Sequence, residues 1–218
     1  MYEDWEAIKE LLAGSERKIE IIEGEENTRA SVVIDWAKIK YGTDLATVIM
    51  NCEQIVVDDW VHVLGHGKGN DGQTVFILSS LPDGDFMKNG LVVATDILGG
   101  LFAICRDEKD DDYGNIFYLQ PECLEWENSG MQYSEFLVWL AHDDLDAFYA
   151  DVRWQGWRDI ASRVGVDSAL KFTPDVWMAN CDFSASPRQI VPFKRQLDDE
   201  LAVYLDDFRG GIANTEAK

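Results

Sequence analysis

The sequence predicts an α+β domain: a central antiparallel sheet with helices packed on one face. Three observations carry this expectation. Helical periodicity fills the first fifty residues, short β-rich runs recur through the middle at about ten-residue spacing, and helical periodicity returns from residue 132. Strands bracketed by helices point to a segregated arrangement and away from alternating βαβ units. At 218 residues and 46% hydrophobic composition the chain has enough apolar surface for one sizeable core. Neither a repeat nor a low-complexity linker divides it, so residues 1–218 are expected to form a single domain with an N-terminal helical segment at 1–50 and a C-terminal helix at about 192–209.

The elements follow in order. Residues 2–13 place Trp5, Ile8, Leu11 and Leu12 on one helical face, ended by Gly14. A second helix over 27–39 carries Val32, Val33, Trp36 and Ile39, although β-branched residues are the weaker helix formers. Thr43 or Asp44 can cap a third, with Leu45, Val48 and Ile49 inward and Asn51 near its end. The strand runs are 55–57, 60–64, 75–79, 91–95, 101–105 and 116–119, separated by Gly, Pro, Asn and Asp clusters. The RDEKDDDYGN segment between the last two reads as a long, highly charged hairpin loop.

Residues 133–157 are dense in aromatic rings. Tyr133, Phe136, Leu137 and Leu140 fall at helical spacing, and Leu145, Phe148, Tyr149 and Val152 repeat the stripe after a His142-Asp143-Asp144 break. Two consecutive amphipathic helices with Trp139 and Phe148 in the core are the expected result. Phe193, Leu197, Leu201, Tyr204, Leu205 and Phe208 mark the last helix, with Pro192 suited to its first turn and Gly210-Gly211 to its end.

The net charge is −22, and it is spread evenly: 20 acidic and 10 basic residues lie in 1–109, 21 and 9 in 110–218. Such a surface opposes direct binding to nucleic acid or to an anionic membrane, both of which attract Lys and Arg. A cationic protein is its natural complement, and solubility is the plainer use of the same charge. Cys52, Cys105, Cys123 and Cys181 include no Cys-x-x-Cys pair, and three sit in apolar runs typical of buried thiols, so reduced, structural cysteines are expected. An acidic N-terminal segment and the absence of an 18-residue apolar run lead to the expectation of a cytoplasmic protein.

Reaction chemistry is sparse. His62, His66 and His142 are the three histidines. His62 and His66 have the four-residue spacing of a helical metal site but lie where a strand enters a Gly-rich loop with no third ligand nearby, so neither metal nor cofactor is expected there. The same loop lacks the Gly-Lys-Ser/Thr ending of a phosphate cradle and the order of a dinucleotide turn. Asp107, Glu108, Asp110, Asp111 and Asp112 offer carboxylates without the alternating spacing that wraps Ca²⁺; a solvated loop able to meet a partner is the reading. Arg153 lies between Tyr149 and Trp157, where a guanidinium can stack on rings while binding Asp144 or Asp146, as a structural clamp or as a ligand-binding arginine.

The series WVHVLGHG at 60–67, DILGGLFAI at 96–104, GNIFYLQPECLEWE at 114–127, the 133–157 segment and SPRQIVPF at 186–193 resembles an uncharacterised family of bacterial domain-of-unknown-function proteins. That family is similar to the SUKH superfamily, which includes immunity proteins against bacterial toxins. The resemblance spans about residues 30–205 and covers Trp60, Asp96, Gly99, Gly100, Tyr149, Arg153, Trp154 and Trp157 among others, with no catalytic residue to carry over. Two departures stand out: an acidic stretch follows the Leu-Gly-Gly motif, and Arg188 stands alone near Ser186-Pro187. The resemblance implies a SUKH-like fold and a non-enzymatic, immunity-type inhibitor masking a basic toxin or other cationic protein. The alternatives are a small hydrolase or ligand-binding enzyme and a regulatory scaffold. Asp107, Glu108, Asp110, Asp111, Asp112 and Arg153 are the expected partner-binding residues; the oligomeric state is left open.

Overall fold

A computed structural model describes residues 4–24, 28–68 and 72–216. The chain forms an α+β domain around a large antiparallel sheet. Its elements are α1 (Trp5–Ala13), β1 (Ile19–Glu23), α2 (Thr28–Ala37), α3 (Asp44–Asn51), β2 (Cys52–Val57), β3 (Val61–Leu64), β4 (Phe76–Ile77), β5 (Leu91–Asp96), β6 (Leu101–Ile104), β7 (Ile116–Gln120), β8 (Glu125–Asn128), α4 (Tyr133–His142), α5 (Leu145–Phe148), α6 (Arg158–Ala161), β9 (Ser168–Phe172), β10 (Arg188–Pro192) and α7 (Phe193–Glu216). The sheet runs β1-β2-β3-β5-β6-β7-β8, with β4 sharing an edge of β5 with β3; β9 and β10 form a separate hairpin.

Local chemistry explains the helix ends. Asp4 accepts the Glu6 N–H at the start of α1, the Thr43 hydroxyl accepts the Ala46 N–H at 3.3 Å before α3, and Gln132 with Glu135 forms a capping box on α4. The first helical face buries Ile8 and Leu12, with Trp5 and Leu11 partly covered. Helix α4 buries Tyr133, Phe136, Leu137 and Leu140, the expected stripe.

Both faces of the sheet are covered, which is why β3 and β5 are buried along their whole length. Phe102 and Tyr118 are paired across β6 and β7, and Phe102 meets Phe136 and Trp139 of α4. Helices α1 and α3 pack on α4 on that side, and α2 packs on α3. On the other face lie the β9–β10 hairpin and α7: Leu170 donates its N–H to the Ile97 carbonyl, and the Tyr204 hydroxyl donates to Asp85 at 2.7 Å.

Several expectations need correction. The N-terminal segment is not wholly helical, because 19–23 pairs with β2 as an edge strand, with Glu20 exposed between half-buried Ile19 and Ile21 and a register shift after Ile22. Residues 2, 3 and 27, given to the first two helices, lie outside the described residues. In α2 the buried face is Ala30, Val33, Ile34 and Ala37, leaving Val32 and Trp36 exposed. Leu145–Phe148 is a single turn followed by hydrogen-bonded turns, so the second aromatic helix is largely absent. Phe148 is 41% exposed, although Leu145, Tyr149 and Val152 of that stripe are buried. Pro192 ends β10, placing it just before α7, and α7 continues past Gly210-Gly211. The Phe208 side chain lies outside the described residues. Strands β8, β9 and β10 had no counterpart in the sequence reading. All four cysteines are free, but only Cys52 and Cys105 are buried.

Candidate functional site

The acidic loop is a preformed structure. The Cys105 N–H donates to the Asn115 carbonyl and the Gly114 N–H to the Cys105 carbonyl, both at 2.9 Å, closing residues 105–115 at the mouth of β6 and β7. Gly114 takes φ +89°, which favours glycine there. Within the loop the Asp107 carboxylate accepts the Lys109 N–H at 3.0 Å, Asp110 accepts the Asp112 N–H at 2.9 Å, and Asp112 accepts the Asn115 amide at 3.1 Å. Asp107, Glu108 and Asp111 are exposed, Asp110 and Asp112 half-buried. Among the described residues none of these five carboxylates takes part in an ion pair. Tyr113, directly after them, is 54% exposed. The loop therefore presents uncompensated negative charge beside an accessible ring.

Arg153 is elsewhere and inaccessible. Its guanidinium lies 4.8 Å from the Trp60 ring centroid, 4.9 Å from Tyr149 and 4.2 Å from Trp157. Nη1 reaches Asp146 at 2.5 Å while only 4% of the side chain is exposed. Burial pushes its pKa down, and Tyr149 and Asp146 oppose that. Arg153 thus sits as the clamp of an aromatic cluster, and the rings that bind it also cover it. The structure does not bring Arg153 and the acidic loop together. Tyr149 reaches Asp96 beside the start of β6, whereas the loop leaves β6 at its other end.

A buried acid was missed by sequence reasoning. One oxygen of Asp96 accepts the Leu98 N–H at 2.8 Å and the Gly100 N–H at 3.0 Å; the other accepts the Tyr118 hydroxyl at 2.6 Å and lies 3.4 Å from that of Tyr149. Burial raises its pKa, and the Tyr118 and backbone donors pull it back. Both oxygens are committed to holding the β5–β6 turn against the aromatic cluster. Glu200 of α7 presses on the same turn, so closely that a Cβ at Gly99 would collide with its carboxylate. Burial drives the Glu200 pKa well up, opposed by the 2.8 Å hydrogen bond from Gln196. The Asp-Ile-Leu-Gly-Gly spelling carried this signal, since two glycines after an Asp mark a turn that side chains approach closely.

His62 and His66 are both buried and have separate roles. His62 lies on β3, and burial pushes its pKa down to about 4. His66 occupies the turn after β3, where Nδ1 donates to the Ile49 carbonyl at 2.8 Å and the ring fills the space left by Gly24. Gly69, Asn70 and Asp71 of the Gly-rich loop lie outside the described residues. Among the described residues no three His, Cys, Asp or Glu side chains converge as a metal ion requires.

The fold and this loop define an α+β domain with an antiparallel sheet covered on both faces and a preformed acidic loop joining β6 and β7. The chain matches the family described as "Protein of unknown function DUF2625" over residues 2–196, and it belongs to that family. It is 39% identical over 88 residues to the putative uncharacterized protein YbfG of Escherichia coli strain K12, covering 40% of this chain and 41% of that one. It is 30% identical over 126 residues to an uncharacterized protein of Haemophilus influenzae, covering 54% and 53% respectively. The chain thus spans about half the length of the curated relatives it matches, or less. No solved structure matches. No helix among the described residues is long and apolar enough to cross a membrane.

Proposed function

We propose that this protein is a non-enzymatic acidic binding protein, an immunity-type inhibitor related to the SUKH superfamily, that masks a basic surface on a toxin or other cationic protein. The observation that carries this reading is the loop at 107–112: five carboxylates that form no ion pair among the described residues, with Asp107 and Asp110 accepting backbone N–H groups of the loop and Asp112 the Asn115 side-chain amide, next to the exposed Tyr113. Preorganised charge accelerates encounter through complementary potential, and an aromatic ring at the same place slows release. Asp107, Glu108, Asp110, Asp111 and Asp112 are the contact residues of this proposal.

The test uses a cationic toxin encoded beside the gene in its native genome, co-expressed with the full chain and then purified with it. Rescue of growth and a stable complex are expected. Changing Asp110, Asp111 and Asp112 to Asn should slow association at low salt and flatten its salt dependence while leaving dissociation nearly unchanged. Equal rates and equal salt slopes for both forms remove the loop from the interface. A complex without rescue points to the regulatory-scaffold reading.

A further inference from the structure

Helix α7 is held to the body of the protein by an acid placed where a charge is costly. Glu200 is 1% exposed. One of its oxygens accepts from the Gln196 amide of the same helix at 2.8 Å, and the other has no hydrogen-bond partner. Its carboxyl group lies directly on Gly99, in the space that any side chain there would need. Among the described residues no Lys, Arg or His forms an ion pair with it.

The surrounding charges do not repair this. The β5–β6 turn presents a second buried acid, Asp96, and α7 itself adds Asp199. From β9 comes Lys171, whose ammonium is already engaged at 2.8 Å by both Asp175 and Asp199. Arg188 of β10 is turned to the Trp154 and Phe172 rings, and Asp85 accepts the Tyr204 hydroxyl further along α7. A buried carboxylate with one amide donor is poorly compensated, whereas the neutral acid is tolerated there. Lifting α7 away returns the group to water.

We propose that α7 is a proton-gated latch: it closes over the β5–β6 turn with Glu200 protonated and loosens as Glu200 gives up its proton. Loosening uncovers that turn and Phe76, which packs edge-on against Phe193 of α7. The sign follows from linkage. Burial drives the docked Glu200 pKa well up, while in the lifted helix it returns toward about 4.3. Docking is therefore strongest below that ordinary value, weakens as the pH rises above it, and levels off once the docked group is ionised. This inference stands independently of the partner reading.

The experiment is backbone hydrogen exchange of the full chain, followed by mass spectrometry from about pH 5 to about 8, with each amide's rate divided by its unstructured rate at the same pH. Opening of residues 196–205 should rise by up to tenfold per pH unit, the limit for one proton, while the amides of β6 and β7 show no such slope. Glu200→Gln, which keeps the shape of the neutral acid, should abolish the slope and leave α7 at least about tenfold better protected than the parent at pH 7. Tyr204→Phe, which removes only the contact with Asp85, should loosen α7 at every pH and keep the parent's slope. A flat parent profile, the same slope in Glu200→Gln, or a slope shared by β6 and β7 overturns the proposal. Failure of Glu200→Gln to fold overturns it as well, because the amide is the nearest stand-in for the protonated acid.

Discussion

At the scale of single residues, burial decides more than residue type does. His62 is held neutral on β3, with its pKa pushed down to about 4 by burial and Nε2 without a hydrogen-bond partner. The unfolded chain takes up that proton near the ordinary histidine value, so between about pH 6.5 and 4 it binds more protons than the native state, and stability falls as the pH falls. His62→Gln should flatten this acid limb by up to roughly 3 kcal/mol, measured as the difference in urea unfolding between variant and parent across that range. The difference is the readout because Asp96 and Glu200 act in the opposite sense: their raised pKa values favour the native state as the pH falls. Ring burial makes a second prediction. Phe136→Ala empties a fully buried site and should cost about 3 to 5 kcal/mol, whereas Phe148→Ala, at 41% exposure, should cost clearly less; thermal unfolding of the two variants compares them.

At the scale of elements, the β5–β6 turn is the joint of the molecule. Asp96 ties it to β7 and to the turn after α5, and Glu200 presses on it from α7. A Cβ at position 100 would collide with the Asp96 carboxylate and stand 2.7 Å from the Tyr118 ring. Gly100→Ala should therefore destabilise by about 1 to 3 kcal/mol, as overpacking does, read from the urea midpoint. Near-ultraviolet circular dichroism should change with it, because the displaced rings belong to the Trp60 cluster.

For the whole molecule, net charge −22 works against compactness as well as for solubility. Raising salt shortens the screening length to about 8 Å at physiological ionic strength, which weakens the mutual repulsion of surface carboxylates. The melting temperature is expected to rise between low and physiological salt. The Asp110, Asp111, Asp112 to Asn variant should show a smaller rise, while its stability at physiological salt stays within about 0.5 kcal/mol of the parent. A salt-independent melting temperature would show that the acidic surface is already dispersed enough to be harmless.

The sequence by itself determined the elements whose signals are local. Thr43 before Leu45 announced α3, the Tyr133 to Leu140 stripe announced α4, and the Gly, Asp and Asn clusters marked the turns between β2 and β7. Composition alone gave the charge, and the RDEKDDD run gave the acidic loop, since a segment with so little apolar content has no route into a core. Tertiary structure decided what depended on a distant partner. β1, β8, β9 and β10 are strands because another strand satisfies their backbone, and Glu125 and Glu127 on β8 sit there because it is an exposed edge. It also decided that Arg153 is covered by the rings it stacks on, and that Asp96 and Glu200, from distant parts of the chain, meet at one turn. Spacing along a chain reports which face a residue shares with its neighbours; which groups from remote segments meet is set only when the core closes over them.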